Sequence, residues 1–154
     1  MELERILAEY AAEMAPGEEL VFDEGICHLE IGGHDIGFMT IPERETILVW
    51  TAVMNSPTED VAAFYRLLLR ANFMGQGVRD GAFSLSDENV VFAHRTFLAP
   101  GTKPADFAAA VSAFVDDVEV WRQTAERAHA AQGVMRRIAD ELDEPPRDGL
   151  AIRV

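Results

Sequence analysis

The run Ile47-Leu48-Val49-Trp50-Thr51-Ala52-Val53-Met54 constrains this chain more than any other stretch. In an extended strand alternate side chains point to opposite faces, so Ile47, Val49 and Val53 share one side and Leu48, Trp50 and Met54 the other. Both sets are apolar, and both faces need cover. One face can take helices of the same chain. The second is either the far side of an ordinary central strand or a surface kept for a partner, and the sequence leaves both readings open.

The flanking segments supply the rest of an α+β architecture. Leu3, Ile6, Leu7, Tyr10 and Met14 recur at helical spacing, which predicts a helix over 2–14 that Pro16-Gly17 stops. Short β-like runs follow at 20–22, 26–31, 35–41 and 46–54, and Gly32-Gly33 marks a hairpin because paired glycines accept the positive backbone angles of a primed turn. These runs read as a three-stranded meander, with room for a short extra strand at Leu20. Ser56-Pro57-Thr58-Glu59 has the form of a capping box and predicts a helix starting there, with Val61, Phe64, Tyr65 and Leu68 on one stripe.

A second hairpin is expected over 81–86 and 89–98, followed from Pro104 by a long helix striped with Phe107, Val111, Phe114, Val115, Val118 and Trp121. The order is α-β-β-β-α-β-β-α, an antiparallel sheet packed with helices. From Gly133 the periodicity fades, so residues 1–132 are expected to form the domain and 133–154 a weakly structured tail.

With 154 residues, 49% of them hydrophobic, one core can form without metals or disulfides. The net charge of −14 repels nucleic-acid phosphates and anionic lipid, which argues against nucleic-acid binding. It either aids solubility or steers a basic partner. No run approaches membrane-spanning length, which argues against membrane insertion, and Met-Glu-Leu-Glu-Arg lacks the features of a signal peptide. Cys27 is the only cysteine, so no intrachain disulfide forms, and a cytosolic location is expected.

Catalytic constellations are hard to find. The glycines at 75 and 77 follow a helix, whereas a dinucleotide loop needs them between strand and helix. His28, His34, His94 and His129 lack metal-ligand spacing, and Asp23-Glu24, Asp87-Glu88 and Asp116-Asp117 fit turns and a solvated helix face. No cofactor, no metal and no enzymatic activity are expected. His94 beside Arg95 is the one pair suited to an anion or a partner carboxylate, unless the two are simply a satisfied pair on the sheet.

The segment Leu67-Leu68-Leu69-Arg70-Ala71-Asn72-Phe73-Met74-Gly75-Gln76-Gly77, with Gly81-Ala82-Phe83-Ser84-Leu85 and Asn89-Val90-Val91-Phe92-Ala93-His94-Arg95, resembles the middle helix and last hairpin of the Tir/CesT-type (class I) chaperones of type III secretion. The resemblance runs in order from about residue 2 to 128. It implies a cytosolic homodimer that binds the N-terminal segment of a secreted effector protein in extended form and keeps it competent for secretion. Carried onto this chain, it makes Leu3, Ile6, Leu7, Tyr10, Ile26, Leu29, Ile31, Ile36 and Phe38 the candidate client patch, several of them open to a core role instead. Phe64, Leu68, Phe92, Arg95 and Phe97 become the candidate dimer surface. The alternative is a small-molecule-binding or regulatory α+β adaptor domain, which would need a pocket with convergent polar groups.

Overall fold

Five strands form one antiparallel sheet in the order β1-β2-β3-β5-β4. They are β1 (Ile26–Ile31), β2 (His34–Ile41), β3 (Thr46–Asn55), β4 (Gly81–Leu85) and β5 (Val90–Leu98); α1 (Glu2–Met14) precedes the sheet, α2 (Val61–Asn72) joins β3 to β4, and α3 (Pro104–Asp143) follows β5. The computed structural model describes residues 2–14, 16, 20–98 and 100–143. Met1–Arg122 make one compact unit, which holds all the features discussed below, and Gln123–Val154 a second. Helix α3 continues past residue 133, where the tail was expected to begin, to Asp143; residues 144–154 lie outside the described ones.

Strand β3 is the central strand, paired with β2 and β5; Ile47 and Val49 on one of its faces are buried, while Leu48 and Trp50 on the other are only half-buried. Gly32 and Gly33 both take positive φ, 59° and 79°, and close the β1–β2 turn as the paired glycines predict. Leu20–Phe22 form no strand; only an isolated bridge joins Asp23 to Ile26.

The capping box does not form. Helix α2 starts at Val61, behind an Asp60 N-cap that makes no side-chain capping bond. Ser56 is held by the end of the sheet instead: its N–H donates to the Asn89 carbonyl at 2.7 Å, and its Oγ lies 3.2 Å from the Tyr65 hydroxyl. Strand pairing, which persists to Asn55, outweighed a local helix start.

One face of the sheet carries the core. Cys27, Leu29, Ile31, Ile36, Phe38, Ile47, Val49, Ala93 and Phe97 are buried there with Ile6, Leu7 and Tyr10 of α1 and Phe107, Val111, Phe114 and Val118 of α3. Tyr10, Phe38 and Phe97 all meet the Phe107 ring, at 5.4, 6.5 and 5.2 Å between centroids. Edge-to-face and tilted packing of this kind stabilises beyond area burial alone.

The Tyr10 hydroxyl is buried here without a hydrogen-bond partner among the described residues. Burial, with help from Glu13, pushes its pKa up to about 12, and burial pushes the Cys27 thiol up to about 11. Both folded values exceed the ordinary 10.0 and 9.0, so the unfolded chain ionises first. Their contribution to stability is full below about pH 9 and is lost as pH rises through 11 and 12. Tyr10→Phe is therefore expected to raise stability at neutral pH by about 1 kcal/mol and to leave a shallower alkaline decline, carried by Cys27, in urea titrations from neutral to strongly alkaline pH.

Candidate binding surface

The register assigns the opposite face of the sheet residue by residue. One row crosses all five strands: His28 opposite Gly37, Gly37 opposite Trp50, Trp50 opposite His94, His94 opposite Ala82. The next row toward the β2–β3 turn holds Ile26, Met39, Leu48 and Thr96, and on the other side stand Glu30, Asp35, Ala52, Phe92 and Ser84. Ile26, Met39, Leu48, Trp50 and Phe92 are all only half-buried, whereas their neighbours one position along point into the core. This face is open, and Ile26, Met39, Leu48, Trp50 and Phe92 form an apolar strip on it among polar neighbours.

Trp50 organises it. Its indole lies across Gly37, so closely that a Cβ on residue 37 would stand 2.3 Å from the ring, and its edge meets the His28 ring at 5.8 Å. Glycine is the residue that lets the indole lie flat on β2. Beside it opens a cavity of about 140 Å³, bounded by His28, Asp35, Trp50, Phe92 and Arg122. The Asp35 carboxylate lies 3.0 Å from His28 Nδ1 and is largely exposed. Arg122 reaches in from α3 and donates to the Ala52 carbonyl and, at 3.4 Å, to Thr51 Oγ1.

The two edges of the sheet differ. Strand β1 pairs with β2 alone; the bridge to Asp23 takes the Ile26 N–H and carbonyl, and the rest of its outer backbone groups have no strand partner among the described residues. Strand β4 is closed by side-chain chemistry: Asn72, at the end of α2, donates to the Phe83 carbonyl at 3.0 Å and accepts from the Phe83 N–H at 2.7 Å, while the Gly81 N–H is held by Val78. A further apolar surface lies on α2 and the turn after it, where Leu67, Leu69, Phe73 and Met74 are 50 to 83% exposed around Arg66 and Arg70.

Of the nine candidate client residues, Ile6, Leu7, Tyr10, Leu29, Ile31, Ile36 and Phe38 lie in the core under α1 and α3. Leu3 is half-buried at the core's margin, and Ile26 stands on the open face. The periodicity that marks a core stripe is the same as that of a docking stripe, which is why the sequence could not part them.

The dimer candidates scatter likewise. Phe92 is on the open face, Phe64 is half-buried on α2, and Leu68 and Phe97 are core. His94 and Arg95, as consecutive strand residues, point to opposite faces and cannot converge on one anion. Arg95 sits on the covered side, paired with Asp80 at 3.1 Å and stacked 4.6 Å from the Phe97 ring centre. Trp50, His28, Asp35 and Met39 were absent from the candidates, although the alternation around Gly37 already placed Met39 opposite to Phe38.

Cys27 is buried with a raised pKa, the wrong direction for a nucleophile. No three His, Cys, Asp or Glu side chains gather to hold a metal ion among the described residues, and no described helix is long and apolar enough to cross a membrane.

The profile of the Tir chaperone protein (CesT) family matches residues 5–122. No curated protein matches the sequence. Among solved structures, a chain of the ExsC–ExsE complex is 21% identical with a TM-score of 0.67, covering 79% of this chain and 92% of that one. A chain of the HopA1–SchA chaperone–effector complex is 13% identical with a TM-score of 0.63, covering 79% and 94%. A chain of the complex of the Yersinia pestis type III secretion chaperone SycH with a fragment of YscM2 is 16% identical with a TM-score of 0.59, covering 76% and 97%. The match to the family profile stops at the last residue of the first compact unit.

Proposed function

Because the chain belongs to the Tir chaperone protein (CesT) family, we propose that it is a cytosolic, non-catalytic homodimer that holds the N-terminal segment of a type III secreted effector in extended form. The observation that carries this reading is the one-sided sheet: helices seal one face, while the other leaves Met39, Leu48, Trp50 and Phe92 half-exposed beside an open edge strand. A contiguous apolar face with an unpaired edge suits an extended chain, which gains affinity from backbone hydrogen bonds and specificity from side-chain pockets. The complexes in which the similar structures were solved include a chaperone with its effector, which supports the same partner class here.

We place the second copy of the proposed dimer on α2. Its outward side presents Ala62, Ala63, Arg66 and Arg70 flanked by Leu67 and Leu69, and the alanines allow another helix to approach closely. Light scattering after gel filtration is expected to give twice the chain mass for the wild type. Leu67→Asp with Leu69→Asp is expected to give a folded monomer, because both side chains are already exposed and neither change touches the core. Client binding is tested by co-expression with N-terminal segments of proteins secreted by the same cell. A soluble complex whose client segment stays open to limited proteolysis outside the contact is expected; failure of every segment to form a complex would sink the reading.

A further inference from the structure

Beyond which class of partner binds, the open face says something about the side chain it selects, an inference that rests on the chaperone reading above. We infer that the cavity between Trp50 and Asp35 is a specificity pocket for a basic side chain, arginine ahead of lysine, of the bound segment. Three observations converge on it.

The first is the indole. Trp50 is laid flat over Gly37 and lines a cavity of about 140 Å³ that is open to solvent, so its π surface is offered to whatever enters. A cation over tryptophan is the strongest of the aromatic–cation pairs, and a guanidinium also stacks on the ring plane. The second is a like-charge pair. Asp35 and Glu30 stand directly opposite on β2 and β1, on the same open face. Such a pair opposes strand pairing, and a bound cation removes that penalty. The Asp35 side chain, with His28 Nδ1 3.0 Å from its Oδ1, is still 77% exposed, so the carboxylate stays open to a cation from solvent.

The third is the local charge. Residues 20–45 carry Asp23, Glu24, Glu30, Asp35, Glu43 and Glu45 against Arg44 alone, so the edge that would receive a strand sits in a negative field. Arg122 also bounds the cavity. Its guanidinium is drawn to the Ala52 carbonyl, Thr51 Oγ1 and, at 3.5 Å, the His34 ring, and it forms the wall away from β1. The occupant is an extended, largely apolar segment with one arginine or lysine reaching between the indole and the carboxylates.

The test is selection of random displayed peptides on the full-length protein, followed by titration of the best binder in synthetic form. Enriched peptides are expected to hold an arginine or lysine among apolar residues, and changing it to glutamine is expected to weaken binding about tenfold. That ratio is expected to shrink toward one in Asp35→Asn and in Trp50→Leu. Asp35→Asn is an exposed near-isostere, so it remains informative if Trp50→Leu fails to fold. Peptides that bind without a basic residue, or a ratio unchanged in Asp35→Asn, would overturn the pocket while leaving the chaperone reading intact. No enrichment on the wild type would overturn both.

Discussion

Phe107→Ala is expected to lower the stability of the chain by about 3–5 kcal/mol, the range for truncating a fully buried aromatic. Phe107 is buried at the centre of an aromatic cluster in which Tyr10, Phe38 and Phe97 all pack on its ring. Removing it opens a void bounded by α1, β2 and β5 at once, and no single neighbour can fill it. Against the few kcal/mol by which a domain this size is stable, the loss is a large fraction of the total. Urea unfolding followed by far-ultraviolet circular dichroism measures it, and a midpoint shift worth less than 1 kcal/mol would contradict the packing described. The same experiment on Phe38→Ala asks a functional question. As a core residue Phe38 is expected to cost stability first, and client binding only through it.

The second large effect is at Gly77. A methyl group there would stand 2.7 Å from Phe83 Cε2, 2.8 Å from the Ala71 Cβ and 3.2 Å from the Ala71 carbonyl oxygen. Two of these neighbours are fixed to helix α2 and strand β4, so the strain has nowhere to relax. Gly77→Ala is expected to cost about 1–3 kcal/mol by overpacking. It carries a spectroscopic signature as well. The Trp121 indole donates to the Gly77 carbonyl at 2.8 Å and packs on the Phe83 ring at 4.8 Å, so displacing Gly77 loosens both. A shift of tryptophan emission to longer wavelength in the folded variant is the expected sign, and an unchanged melt and spectrum would refute it.

How far the sequence could be read depended on whether the signal was local. Gly32-Gly33 fixed its hairpin because two positive φ values in succession leave little choice of residue. The long stripe from Phe107 to Trp121 fixed α3 for a similar reason: its period is sustained over several turns. Ser56 misled because a capping pattern competes with the strand before it, and the bond from Ser56 to Asn89 depends on β5, far along the chain. Core and docking surface were confused for a deeper reason. Apolar periodicity says that a stripe is covered and is silent on what covers it, so Leu29 and Phe38 read the same as Ile26. The binding face was nonetheless half-legible. Once β3 is apolar on both sides and α1 and α3 cover one face, Trp50 and Leu48 are left on the other.

The unequal treatment of the two sheet edges has a consequence for how these molecules behave in a crowd. If both outer strands were open, one chain could lend an edge to the next in the same sense, and each addition would recreate the site it had filled. That is the recipe for a growing fibre. With Asn72 occupying both backbone groups of Phe83 and Val78 holding Gly81, growth has only the β1 side to use. A strand that joins there ends the series. Among the described residues, an extended segment from a neighbour has the β1 edge to join, while β4 is blocked at Phe83 and at the Gly81 N–H against passing the pairing on.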